Sequence, residues 1–288
     1  MLGAIAGDII GSVYESRPIK TVDFPLFGPG SGFTDDTVLT IGVGKAILEE
    51  KDYARAIQEM GRKYPDAGYG PSFLRWLDSD NPRPYGSWGN GAAMRISPVG
   101  LAFDSEEKVL QEAKRAAGIS HDHPEGIKGA RAIALGVYLA RHGRDKGFIK
   151  RDLSERFGYD LERKLEDIRP DYGFDMSCQG SVPEAVICFL QAGSYEEAVR
   201  NAVSLGGDSD TLACMAGGIA EAFFGPVPEN IRGEAEQRLP RELWKVVEEF
   251  YSRFGLDLQT EWYADQERRF FQAPHINLCK ILLPGTRG

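Results

Sequence analysis

The chain has little of what ties small secreted folds together or builds transition-metal sites: 288 residues carry only four cysteines and four histidines. Cys178, Cys188, Cys214 and Cys279 form no CxxC pair. Such sparse spacing argues against a disulfide scaffold and against structural zinc, which needs clustered Cys or His, and points to core thiols in a reducing cytoplasm. No basic run exceeds two residues, and 34 Lys and Arg face 43 Asp and Glu, a formal net charge of −9. Sequence-independent affinity for nucleic acid comes from Lys and Arg neutralising phosphates, so no general nucleic-acid binding is expected. Long apolar runs are also lacking. The apolar stretch 1–14 is broken by Asp8 and preceded by no positive charge, whereas a membrane span needs about 20 apolar residues. It is expected to be neither signal peptide nor anchor, and no membrane partner is expected.

Strand-type alternation is almost absent, and helical spacing recurs instead. The pattern predicts an all-α fold with helices over 3–14, 36–49, 53–64, 106–117, 124–141, 183–191, 195–202, 210–224 and 240–254. No low-complexity linker divides the chain, so residues 1–288 are expected to form a single domain, with the highly charged stretch 144–169 as a surface excursion. Gly3, Gly7 and Gly11 recur at intervals of four, and Ala213, Gly217 and Gly218 repeat the texture near the other end. Glycine inside a helix costs about 1 kcal/mol relative to alanine, so several together point to helices packed closely at the centre.

Two acidic clusters share one grammar. Thr34-Asp35-Asp36 follows the turn-rich stretch 28–32, and Asp208-Ser209-Asp210-Thr211 follows Gly206-Gly207; each precedes an apolar helical run. Taken singly, either is explained by helix capping, since Ser, Thr and Asp are preferred N-caps and first-turn acids suit the helix dipole. Taken together, they supply four carboxylates where the chain is still turning and consecutive side chains can fan around an ion. Ligands that are all oxygen suit magnesium, manganese or calcium. Four or five carboxylates are too many for one magnesium, so the pair points to a binuclear hydrolytic centre.

Two further stretches offer chemistry. Ser120-His121-Asp122-His123-Pro124 contains a His-Asp pair that an HD-type nucleotide phosphohydrolase would use as metal ligands, but only His142 and His275 remain to complete such a set. His121 could equally cap or pack beside the following helix. The stretch Tyr85-Gly86-Ser87-Trp88-Gly89-Asn90-Gly91 reads as a glycine-rich loop running into a helix. Its amides could bind phosphate and its tryptophan could stack a base, although a plain turn explains the glycines too.

Five segments in order, residues 2–8 (LGAIAGD) through Glu15, 33–37 (FTDDT), 89–95 (GNGAAMR), 120–124 (SHDHP) and 206–211 (GGDSDT), resemble the ADP-ribosylglycohydrolases. This family includes the dinitrogenase reductase-activating glycohydrolase and the ADP-ribosylserine and ADP-ribosylarginine hydrolases. The segments run from about residue 2 to about residue 225, and no motif follows. The resemblance implies a compact all-α bundle with a central cleft for two Mg2+ or Mn2+ ions. It implies Thr34, Asp35, Asp36, Asp208, Asp210 and Thr211 as metal ligands, with Asp210 as the bridge and Glu15 as a mobile ligand displaced by substrate. Gly86, Ser87, Gly89 and Asn90 would hold the diphosphate and ribose, Trp88 would stack the adenine, and His121 and Gly207 would contact the substrate. Asp35 or Glu15 would supply the proton to the leaving group. The expected reaction releases ADP-ribose from an ADP-ribosylated protein or other ADP-ribosylated molecule. A noncatalytic ADP-ribose binding module is the alternative, followed by the HD-type phosphohydrolase; every motif acid is present, which favours the enzyme.

Overall fold

A computed structural model describes residues 1–258, and the helical pattern governs all of it. In chain order the α-helices are α1 (Leu2–Glu15), α2 (Asp35–Leu48), α3 (Tyr53–Lys63), α4 (Pro71–Asp78), α5 (Ser97–Ala102), α6 (Glu106–Gly118), α7 (Pro124–Arg141), α8 (Lys146–Phe157), α9 (Leu165–Ile168), α10 (Cys178–Leu190), α11 (Tyr195–Ser204), α12 (Ser209–Phe224), α13 (Glu229–Arg238) and α14 (Arg241–Phe254). The one strand-like feature among the described residues is an isolated antiparallel bridge between Gly89 and Ser177. Many starts are fixed by a side chain: Thr34, Asp52, Ser105, Asp145, Ser177 and Ser194 each accept a hydrogen bond from a first-turn amide. Each such cap contributes about 1 kcal/mol.

The centre is the antiparallel pair α1 and α12. A Cβ added at Gly3 would meet the Gly217 carbonyl oxygen at 2.5 Å, one at Gly7 the Ala213 oxygen at 2.2 Å, and one at Gly11 the Asp210 Cα at 2.5 Å. The stripe of glycines is therefore what lets the two backbones touch. The Ser209 hydroxyl also donates to the Gly11 carbonyl at 3.1 Å. Around this pair pack α2, α7, α10 and α11, with α3, α6, α8 and α14 outside them. At one end of the pair, Glu221 accepts hydrogen bonds from the Gly3 amide and the Tyr251 hydroxyl. At the other end lie the acids.

The structure departs from the sequence expectations in four places. The stretch 144–169 is not a surface excursion: α8 buries Ile149, Leu153 and Phe157, and Tyr159, Leu161 and Leu165 follow them into the core. Dense charge between those residues hid their helical spacing. The helix expected from Pro183 starts at Cys178, capped by Ser177, so Pro183 lies inside α10 rather than at its first turn. The glycine-rich loop runs into two 3-10 turns, Asn90–Ala92 and Met94–Ile96, and α-helix begins only at Ser97. Pro98 lies in its first turn, where a fixed φ and a missing N–H are tolerated. Short α4 and α9 and the largely polar α13 bury few residues, and short α5 is buried on all sides, so none shows a repeated apolar face. Three of the cysteines are buried and free, as expected of core thiols, while Cys279 and His275 lie outside the described residues.

Candidate active site

Close contact of α1 with α12 brings three acids together. One carboxylate oxygen each from Glu15, Asp208 and Asp210 lies within 4.8 Å of the others. Glu15 is exposed at the end of α1, whereas Asp208 and Asp210 are buried at the start of α12. The turn that delivers them is built by Gly206 and Gly207, both at φ near +70°, and a Cβ on Gly207 would strike the Gly173 carbonyl oxygen at 2.5 Å. Left-handed backbone packed this tightly requires glycine.

The second cluster reaches the same place through Asp8. Its carboxylate accepts from the Thr34 amide at 2.9 Å, the Thr34 hydroxyl at 2.7 Å, the Thr37 amide at 3.1 Å and the Thr37 hydroxyl at 2.5 Å. These four bonds moor the start of α2 to the middle of α1. Asp36 then reaches α12, where the Thr211 hydroxyl donates to its Oδ2 at 3.1 Å, whereas Asp35 Oδ1 lies near Gly68, 3.7 Å from where a Cβ there would stand. Asp8 is the residue whose part the sequence reading missed. An acid in the middle of an otherwise apolar helix was the available signal.

The electrostatics are those of crowded carboxylates that a chain cation reaches only at longer range, as the Arg95 charge does Asp35. No ion pair engages any of these six acids among the described residues. Burial first, then neighbouring acids, raises Asp35 to about 8 and pushes Asp36 and Asp210 well above the ordinary range. Burial raises Asp208 and Glu15 too, and lifts Asp8 to about 6 against its four hydrogen bonds. Asp36 Oδ1 is buried with no hydrogen-bond partner. A cluster of hard oxygen donors, one of them buried and unpaired, fits a divalent cation.

The glycine-rich loop forms the adjoining wall. Asn90 donates from Nδ2 to Asp208 Oδ2 at 2.7 Å, tying loop to acids. The Asn90 amide donates to the Met176 carbonyl at 2.8 Å and the Cys178 amide to the Trp88 carbonyl at 2.9 Å, so the loop lies against the segment 173–178. Trp88 is 53% exposed, and Phe174 and Met176 of that segment are exposed as well. Gly86, at φ +67°, donates its amide to Asp122 at 2.7 Å, and the Gly89 amide donates to the Ser87 hydroxyl at 3.1 Å. His121 is buried beneath the loop: a Cβ at Gly91 would stand 3.1 Å from its Nε2 and one at Gly89 3.6 Å. Burial, with the Arg95 charge, holds its imidazole well below the usual range. His121 and Asp122 thus serve the loop separately; neither belongs to a group of three potential metal ligands among the described residues. His142 is bonded to the Tyr138 carbonyl within α7 and its C-cap.

Comparison with known proteins fixes the family. The ADP-ribosylglycohydrolase family model matches residues 1–260. The chain belongs to that family. The match continues past the last legible motif, through α13 and α14. The chain is similar to the ADP-ribosylhydrolase ARH3 of Bos taurus, at 29% identity over 320 aligned positions that cover 82% of this chain and 87% of that protein. It also resembles the ADP-ribosyl-[dinitrogen reductase] glycohydrolase of Rhodospirillum rubrum, 25% identical with 89% and 95% covered. A solved structure, an ADP-ribosylglycohydrolase-related protein complex, superposes with a TM-score of 0.67 at 24% identity, over 87% of this chain and 96% of that one, and shares the fold. Membership supports hydrolysis of ADP-ribose linkages, and metal dependence is typical of the family. No helix among the described residues is long and apolar enough to cross a membrane.

Proposed function

We propose that the chain hydrolyses the glycosidic bond between the anomeric carbon of an ADP-ribosyl group and its acceptor, a modified side chain such as arginine or serine or another molecule, and releases ADP-ribose. The convergence of Glu15, Asp208 and Asp210 beside a loop held by Asn90 carries this reading. Two Mg2+ or Mn2+ ions would be held by Thr34, Asp35, Asp36, Asp208, Asp210 and Thr211, with Glu15 as the exchangeable ligand. When bound, such ions anchor sugar hydroxyls and make water a better nucleophile near neutral pH.

The chain's own groups do the rest. Gly86, Ser87, Gly89, Asn90 and Gly207 line the place of the diphosphate and ribose, with the Gly86, Gly89 and Asn90 amides engaged within the protein and so shaping the loop rather than binding phosphate directly; Trp88 stacks on the adenine, and His121 donates to the ligand from below the loop. As the bond to the acceptor breaks, its electron pair leaves with the acceptor, which takes a proton from Asp35 or Glu15; water adds to the anomeric carbon and returns a proton. Burial first holds both carboxyls above the ordinary range, and the one of the two that is not bound to an ion when substrate enters can carry the proton. Three buried thiols free of disulfides suit a cytoplasmic enzyme.

The test is release of free ADP-ribose from a panel of arginine-, serine- and nucleotide-linked substrates with Mg2+ or Mn2+. Asp210→Ala should lose metal binding and turnover together; full activity in that variant would sink the binuclear site. Silence across the panel, with tight ADP-ribose binding, would instead favour a noncatalytic module. Release of inorganic phosphate would favour the phosphohydrolase.

A further inference from the structure

Arg95 is the largest of the fully buried side chains, and no acid pairs with it among the described residues. One nitrogen, Nη2, donates to the Ala116 and Ala117 carbonyls at 3.2 and 3.4 Å and to the Ser120 hydroxyl at 2.9 Å, while Nε and Nη1 have no partner. The guanidinium also lies 5.7 Å from the centre of the Phe73 ring. A buried charge held this incompletely is expensive, so its position calls for a purpose beyond packing. The Ser120 hydroxyl that accepts from Arg95 stands 2.8 Å from His121 Nδ1. With one lone pair engaged by a cation and no other acceptor for its proton among the described residues, the hydroxyl is placed to donate to Nδ1. A neutral imidazole that accepts at Nδ1 carries its proton on Nε2. That nitrogen faces Gly89 and Gly91 of the loop. Around the ring stand Tyr85, 5.6 Å away between centroids, and Phe73, 6.4 Å away; neither supplies a negative charge at neutral pH.

We propose that Arg95 is a positioning residue: acting through Ser120, it locks His121 as the neutral Nε2–H tautomer and so presents one fixed hydrogen-bond donor to the ligand on the glycine-rich loop. The tautomer follows from the protein alone, while the ligand's identity as ADP-ribose rests on the function proposed above.

Nitrogen-15 NMR of the imidazoles in the full chain tests it, with four histidines to assign and His121→Gln to identify the signal. At neutral pH the wild type should show the Nε2–H pattern for His121. Ser120→Ala should convert it to a mixture or to the Nδ1–H form, and the ADP-ribose dissociation constant should rise about tenfold, the size of one hydrogen bond to a charged ligand. Arg95→Met should act the same way, and Arg95→Lys should keep part of the wild-type pattern. Ser120→Ala removes a single oxygen and preserves the test where Arg95→Met fails to fold. An Nδ1–H pattern in the wild type, or an unchanged pattern in Ser120→Ala, would overturn the proposal. A wild type that shows the Nε2–H pattern but binds no ADP-ribose would leave the relay standing and refute the ligand.

Discussion

Gly7 is where a single methyl group tests how the site is assembled. An ideal Cβ there would stand 2.2 Å from the Ala213 carbonyl oxygen and 2.5 Å from its carbon. Both are backbone atoms that no rotamer change can move. Ordinary contact begins near 3.5 Å, so Gly7→Ala must part α1 and α12 by about 1 Å. Alanine gains about 1 kcal/mol over glycine in a helix, and overpacking costs about 1–3 kcal/mol. Against rigid backbone the upper figure applies, for a net loss of about 2 kcal/mol and a fall in Tm of roughly 4–8 °C. Activity should fall further, because the same movement carries Asp8 and Glu15 away from Asp208 and Asp210, and displacements of about 1 Å can cost on the order of 100-fold in rate. Gly233→Ala is the control: it lies inside α13, where a Cβ would meet nothing within 4 Å. There the propensity gain stands alone, and Tm should rise by roughly 2–4 °C. Differential scanning calorimetry and a turnover assay on the two variants decide the matter. Equal Tm changes of the same sign, or a fully active Gly7→Ala, would refute the close-contact account of how the acids are brought together.

Trp88→Ala should leave Tm almost unchanged, since the ring is 53% exposed, but weaken ADP-ribose binding about 5- to 150-fold, the range of one base–aromatic stack; unchanged affinity in calorimetry would remove Trp88 from the site. Asn90→Ala deprives Asp208 of its hydrogen-bond donor and should lower turnover about 10- to 100-fold; wild-type kinetics would show that the loop-to-acid link is dispensable. In EDTA, stability should fall as pH rises from about 5 to 8. Asp8 and Asp35 are raised to about 6 and about 8 by burial first, so the folded chain holds protons that the unfolded chain has released, and the slope against pH is negative. A Tm in EDTA that is flat or rises over that interval would contradict the buried-acid picture.

The helices legible in advance were the long ones with a repeated apolar face, and α7, bounded by Pro124 and Arg141, matched at both ends. What escaped was local. Pro183 carries a first-turn signal yet lies six residues into α10, because Ser177 caps the helix earlier. The spacing of Ile149, Leu153 and Phe157 was present but drowned in charge. For the site, both acid clusters were readable because each doubles as a helix start, a strong local pattern. Asp8 and Arg95 were not, since each acts across the fold: Asp8 on a helix 26 or more residues away in sequence, Arg95 on a serine 25 residues on. Their partners could be recognised only once α1, α2, α6 and the loop were in place.

The charge of −9 acquires a location through these contacts. Three of the excess acids, Glu15, Asp208 and Asp210, converge, and Asp36, bonded to Thr211, and Asp35 raise the negative charge around them. Like charges about 4 Å apart repel by about 4 kcal/mol at an effective dielectric constant of 20, and no cation of the chain is ion-paired to them among the described residues. Protons or bound ions would relieve that repulsion. Two divalent ions would bring the net charge from −9 to −5, and binding to the folded state alone stabilises it by about 2.7 kcal/mol at a free concentration 100 times Kd. Tm at pH 8 should therefore climb by roughly 5–10 °C across a Mg2+ or Mn2+ titration, and by much less in Asp210→Ala. Potassium at matched ionic strength should not reproduce the rise, since screening is weak for buried groups. Turnover that saturates with metal while Tm stays fixed would separate the ions that support catalysis from the buried acids, and the cluster would then need another explanation.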